Sequence, residues 1–159
     1  MKRIHYFAMC AFLVLGCKQN SQLSDKEINS IKSEVIASMH KAFENEKSLD
    51  AEKATHLYID NGDFVFGGDG YLITDYSYLQ KDFKDFLSSN QKWLDLNIHN
   101  EYVYVISKDA AAYSFEFDWK ILRKDGDTLR CKNGSWTFVL RKIEDEWRSV
   151  HCNGAHIFE

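Results

Sequence analysis

The chain has 159 residues, 45% of them hydrophobic and 28% charged, which fits one folded domain and is too apolar for a disordered chain. Acidic side chains outnumber basic ones 24 to 20, and no stretch concentrates Lys and Arg, so a nucleic-acid partner is not indicated. Aromatics reach 14% and proline is absent, which excludes proline-rich linkers and cis-proline turns.

The first segment reads as an address. Lys2 and Arg3 precede an apolar stretch from Ile4 to Leu15, too short to span a bilayer. It ends in Val14-Leu15-Gly16-Cys17, which resembles a bacterial lipobox, where cleavage before the cysteine leaves that residue lipidated. The organisation expected is a signal peptide over 1–16, a lipid-anchored tether over 17–25 and a folded domain over 26–159. The location expected is the bacterial cell envelope, membrane-anchored through lipid on Cys17. A plain signal peptide, with the protein secreted or periplasmic, is the alternative. Cleavage removes Lys2 and Arg3, leaving 18 basic against 24 acidic side chains, a formal −6.

From Ser24 to about Glu46 the apolar residues Ile28, Ile31, Val35, Ala37, Met39, Ala42 and Phe43 recur at helical spacing. Ser24 and Glu27 make a capping box at the start. A short second helix is expected over 50–58. A hairpin follows, with Phe64-Val65-Phe66 and Tyr71-Leu72-Ile73 flanking the turn Gly67-Gly68-Asp69-Gly70. This turn lacks the Lys and Ser/Thr of a phosphate loop and leads into a strand rather than a helix. Helical spacing returns over 75–87. After Ser89 the period becomes two, with strands expected at 91–107, 110–123, 129–142 and 146–157. Helices followed by an antiparallel meander define an α+β domain.

A turn at Asp125-Gly126 sets Tyr113 opposite Phe138 and Phe115 opposite Trp136. A turn at Glu144-Asp145 sets Leu140 opposite Ser149, Phe138 opposite His151 and Trp136 opposite Asn153. One sheet face then collects Tyr113, Phe115, Phe117, Trp119, Trp136, Phe138, Leu140 and Trp147, with Ser149, His151 and Asn153 as a polar row. Such a lining suits a small, largely apolar ligand, for which Tyr113, Phe115, Trp136, Phe138, Ser149, His151 and Asn153 are the candidate contacts. The opposite face carries Glu116, Asp118, Arg141 and Arg148 and offers a homodimer surface. Cys131 falls opposite Phe158 and Cys152 opposite Thr137, an offset of roughly 20 Å, so no disulfide is expected.

The run Gly134-Ser135-Trp136-Thr137-Phe138-Val139-Leu140-Arg141-Lys142, a short acidic turn, and Glu146-Trp147-Arg148-Ser149-Val150-His151 resembles the closing hairpin of SnoaL-like domains in the nuclear transport factor 2-like superfamily. Asp63-Phe64-Val65-Phe66 is similar to that family's first hairpin, and the order of elements is similar across 24–157. The resemblance implies a cone-shaped α+β fold, often dimeric through the outer sheet face. It also implies a range of roles, from isomerases, dehydratases and cyclases to pure binding or scaffolding domains. In the branch most resembled, a second histidine often follows two residues after the first; here that position is Asn153, and Ala155 stands where serine is frequent.

Three readings follow. The first is a non-catalytic domain binding a small molecule or a partner. The second is a cofactor-independent isomerase or lyase with His151 and Asp63 or Asp69 as the catalytic groups, His151 being suited to proton transfer near neutral pH. The third is a structural envelope protein dimerising through its outer face. No cofactor fingerprint is present, and His40, His56 and His99 share no metal-binding spacing, so neither cofactor nor metal is expected.

Overall fold

The computed structural model describes residues 22–61 and 63–158. The proposed signal peptide, Cys17 and most of the tether lie outside them. Helix α1 spans Asp25–Lys47. Its capping box is formed: the Ser24 amide donates to the Glu27 carboxylate at 2.9 Å and the Glu27 amide donates to Ser24 Oγ at 3.3 Å. Ile31, Val35 and Met39, four residues apart, are its buried line. Ala37 is exposed, a correction to the spacing count, because it lies two residues from Val35 and turns to the far side of the helix.

Helix α2, Ala51–Thr55, is capped by Asp50 and is shorter than expected. It stops because the next residues join the sheet margin: Tyr58 bridges Ser149 in parallel, and the Ser149 amide donates to the Leu57 carbonyl at 2.7 Å. Strands β1 (Val65–Gly68) and β2 (Tyr71–Ile73) form the expected hairpin, turning at Asp69 and Gly70 with φ of 50° and 92°. Helix α3, Tyr76–Ser88, is capped by Asp75 and buries Leu79 and Leu87.

The meander follows as β3 (Asn90–Ser107), β4 (Ala110–Arg123), β5 (Thr128–Ile143) and β6 (Glu146–Ala155). All six strands form one sheet in the order β2-β1-β6-β5-β4-β3, antiparallel except where β1 runs parallel to β6. The protein is an α+β fold with N-terminal helices laid on a curved, mostly antiparallel sheet. Tyr113, Phe115, Phe117, Trp119, Trp136, Phe138, Leu140 and Trp147 are all buried on its inner face. The pairs Tyr113–Phe138, Phe115–Trp136 and Leu140–Ser149 stand at the expected register.

Beyond Ser149 the register changes. Val139 pairs with His151 while Leu140 pairs with Ser149, so Val150 is an extra residue in β6. One inserted residue moves every later side chain to the other face. Phe138 therefore meets Cys152 rather than His151, and Trp136 meets Gly154 rather than Asn153. The expected polar row of Ser149, His151 and Asn153 is corrected: His151 and Asn153 sit on the outer face. Cys152, Gly154 and His156 continue the inner one. A second insertion, in β5 around Asn133 (φ 56°), cancels the offset, and Cys131 lies opposite Phe158 as the sequence arithmetic places it.

Cys131 and Cys152 are free and buried, and burial pushes the Cys152 thiol up to about 12. Both thiols should resist a maleimide in the folded, non-reduced protein and label fully once guanidinium unfolds it without reductant. Peptide mapping by mass spectrometry reads the outcome. Persistent protection of both after unfolding would mean a disulfide.

Candidate functional site

Between the inner sheet face and the helices lies a cavity of about 110 Å³. That is near the scale at which an apolar cavity accepts a single-ring molecule. Phe43 and Glu46 of α1 and Phe83 of α3 close one side. Trp93, Leu96 and Ile98 of β3, with Phe115, Phe117 and Trp119 of β4 and Trp136 and Phe138 of β5, form the other. Tyr58, Phe66 and His156 complete it. The rings pack on one another: Phe66 and Trp136 centroids are 5.0 Å apart, Phe115 stacks on Phe138 at 6.1 Å, and Trp93 meets Trp119 edge-on at 5.7 Å. Each such contact adds about 0.5–1.5 kcal/mol beyond area burial, so the lining is stiff.

Three polar features interrupt this surface. The first is Glu46, in the last turn of α1. Its backbone carbonyl accepts from Trp93 Nε1 at 3.3 Å, tying the helix end to β3. Glu46 borders the cavity and keeps part of its surface accessible, yet burial pushes its carboxyl up to about 7. Among the described residues no donor or counter-ion relieves it; burial is the one influence on its ionisation.

The second is His156, whose Nδ1 lies 2.7 Å from Asp69 Oδ2 while its backbone amide donates to Asp69 Oδ1 at 2.8 Å. An ionised carboxylate only accepts, so Nδ1 carries the proton and Nε2 is the basic nitrogen of the neutral ring. Rings on several sides hold the imidazole, with Phe117 at 5.4 Å, Trp136 at 5.7 Å and Phe158 stacked at 5.5 Å. The third belongs to Trp136, whose indole N–H is buried and has no hydrogen-bond partner among the described residues. Within the lining, burial raises the Tyr58 hydroxyl well above its ordinary range, with the Cys152 thiol as its neighbour.

Of the residues expected to touch a ligand, Phe115, Trp136 and Phe138 line this cavity. Tyr113 is buried behind Phe43 and donates to Glu101 at 2.6 Å, where His40 also meets the same carboxylate oxygen at 2.8 Å. Ser149 is buried outside the lining, its Oγ donating to the His151 carbonyl at 3.4 Å. His151 and Asn153 face outward, for the register reason above. Asp63 is an exposed turn residue whose amide donates to Asn61 Oδ1, away from the cavity. The expected association of His151 with Asp63 or Asp69 therefore does not form; Asp69 holds His156 instead. Glu46 escaped the sequence reading although a signal existed. It stands seven residues after Met39 and three after Phe43, an acid on the apolar stripe of α1. His156 could be found only by knowing that Val150 is inserted. Among the described residues no group of three His, Cys, Asp or Glu side chains is placed to hold a metal ion.

This geometry is that of the nuclear transport factor 2-like fold. A superfamily protein from Salmonella enterica serovar Typhimurium superposes with a TM-score of 0.71 at 18% identity, over 81% of this chain and 92% of that one. A ketosteroid isomerase-like protein from Erwinia carotovora atroseptica gives 0.66 at 17%, over 79% and 95%. A type 2 hexachlorocyclohexane dehydrochlorinase gives 0.69 at 10%, over 86% and 92%. At these identities the likeness is one of fold. The SnoaL-like domain family matches residues 33–157, and the chain belongs to that family. No curated protein matches it by sequence.

Glu46 makes a pH signature. Its carboxyl is raised from an ordinary 4.5 to about 7, so ionising it opposes folding. Its contribution to stability is intact below about pH 4.5 and is lost as pH rises through 7. Glu46→Gln should melt with the wild type at pH 4 and above it at pH 8. The difference, allowing for the cavity's partial opening to solvent, is about 2 kcal/mol. Thermal denaturation across pH checks this, and parallel curves at both pH values would refute it.

Proposed function

We propose that this protein binds a compact, largely apolar small molecule in the aromatic cavity, held at a bacterial membrane surface by lipid on Cys17. The observation that carries the binding reading is the lining itself: ten aromatic side chains around about 110 Å³, with few polar groups among them. The anchor rests on the Val14-Leu15-Gly16-Cys17 pattern. Self-association through the outer sheet face belongs to the same proposal. That face carries Glu116, Asp118 and Arg141, and at its β3 margin it exposes Tyr102, Tyr104 and Ile106.

The Asp69–His156 pair favours a second reading, a cofactor-independent isomerase or lyase. His156 Nε2 would take a proton from the substrate. Glu46, titrating near neutrality, would return one at a second atom or to a leaving group. The isomerase-like and dehydrochlorinase structures named above lend this reading support through fold alone.

Native mass spectrometry of the purified protein should show a reproducible small-molecule adduct. Leu96→Trp, which puts a large ring on the cavity's β3 wall, should remove it while cooperative melting persists. An adduct unchanged in that variant would refute cavity binding. Incubated with fresh protein, the recovered compound stays unaltered under the binding reading. Under the second it converts, and His156→Ala slows the conversion by about 10²-fold or more. For the anchor, Cys17→Ser should shift the protein from the membrane fraction to the soluble one. Sedimentation velocity of that variant at micromolar concentration should give a dimer, and a monomer would count against the outer-face interface.

A further inference from the structure

The charge character of the cavity narrows its occupant. Among the described residues no Lys or Arg lines it, and its ionisable members are Glu46, Tyr58 and His156. His156 has its own counter-ion in Asp69, at 2.7 Å. Tyr58 stays protonated across the accessible pH range, because burial holds its hydroxyl well above the usual value. That leaves the Glu46 carboxylate uncompensated, among the described residues, within an aromatic lining. The face of an aromatic ring is negative and attracts a cation, and ten aromatic side chains line this small volume.

We propose that the ligand of this cavity is a compact organic cation, an amine or quaternary ammonium group enclosed by the aromatic side chains and paired with Glu46. The proposal rests on the preceding reading that the cavity binds a small molecule, and adds the ligand's charge. Among the described residues an anion would meet no basic side chain other than the Asp69-paired His156. A neutral apolar molecule would fill the space but strip solvent from Glu46 without replacing its counter-ion, so its binding would weaken as Glu46 ionises. A cation does the reverse. It supplies the missing partner, draws the Glu46 carboxyl back toward its ordinary value, and releases a proton on binding at neutral pH. His156 and Asp69 are the other titratable side chains at this lining, so the Glu46 contribution is isolated by substitution.

The test uses choline, whose charge does not titrate, against 3,3-dimethylbutan-1-ol, in which carbon replaces the ammonium nitrogen. Both are titrated into the full-length protein in detergent and followed by calorimetry and by tryptophan fluorescence, since Trp93, Trp119 and Trp136 line the site. Choline should bind more tightly than the alcohol at pH 8.5, and its affinity should rise about tenfold or more from pH 5.5 to 8.5. Glu46→Gln, a near-isosteric change, should abolish most of that rise and bring choline down to the level of the alcohol. Equal binding of the two probes at pH 8.5, or a pH rise that survives Glu46→Gln, would overturn the cation assignment. If the alcohol alone binds, and Leu96→Trp blocks it, the assignment fails while the small-molecule reading stands. If neither binds, the assignment fails as well, and the adduct experiment decides the broader reading separately.

Discussion

The structure turns on the seating of Trp136. Its indole lies directly over two residues without side chains, Gly68 of β1 and Gly154 of β6. A Cβ there would approach ring atoms to 2.6 Å and 2.4 Å. Close approach of this kind lets the short β1–β2 hairpin dock in parallel against β6 and puts a large aromatic wall across the join. Asp69, in the hairpin's turn, is thereby carried to His156 just beyond the end of β6. The insertion at Val150 is the other half of this constraint, since without it Asn153 would stand where Gly154 receives the ring. Cavity wall, hairpin position and the Asp69–His156 pair all follow from these contacts.

Most of the domain is built for stability, and Glu46 is not. Glu27 shows the contrast. At the start of α1 it accepts hydrogen bonds from Ser24 and lies 3.1 Å from Lys108, and its carboxyl is held down to about 2. Glu46, at the other end of the same helix, has burial without compensation and is raised to about 7. A helix C-terminus also disfavours negative charge, so the position is unfavourable on local grounds too. Such an uncompensated group persists where the chain uses it, which sets Glu46 apart from the many satisfied carboxylates. Trp136, in the same lining, buries an indole N–H that has no partner among the described residues.

Fold and lining were largely legible in the sequence because both depend on period. Helical spacing in α1 and α3, the Asp69-Gly70 turn and the alternation of β4 and β5 are local signals. They led to the right elements and to Phe115, Trp136 and Phe138. The candidate catalytic residues were not legible, because the count along β6 assumed an uninterrupted strand. That count puts His151 on the inner face, and the extra residue Val150 turns it outward. Asp69 stands beside His156 rather than beside His151, the partner that an uninterrupted strand gives it.

The sequence alone determined the class of elements, the aromatic inner face, the Leu140–Ser149 register and the capping of α1. Each arises from interactions between residues close in the chain or from a strict two-residue period. Tertiary structure alone decided which histidine meets Asp69, that β1 runs parallel to β6, and that Glu46 borders the aromatic cavity. These depend on one inserted residue and on packing between segments more than a hundred residues apart, such as Glu46 and His156. No local pattern carries that information: a bulge leaves composition and spacing unchanged while reversing every face that follows it.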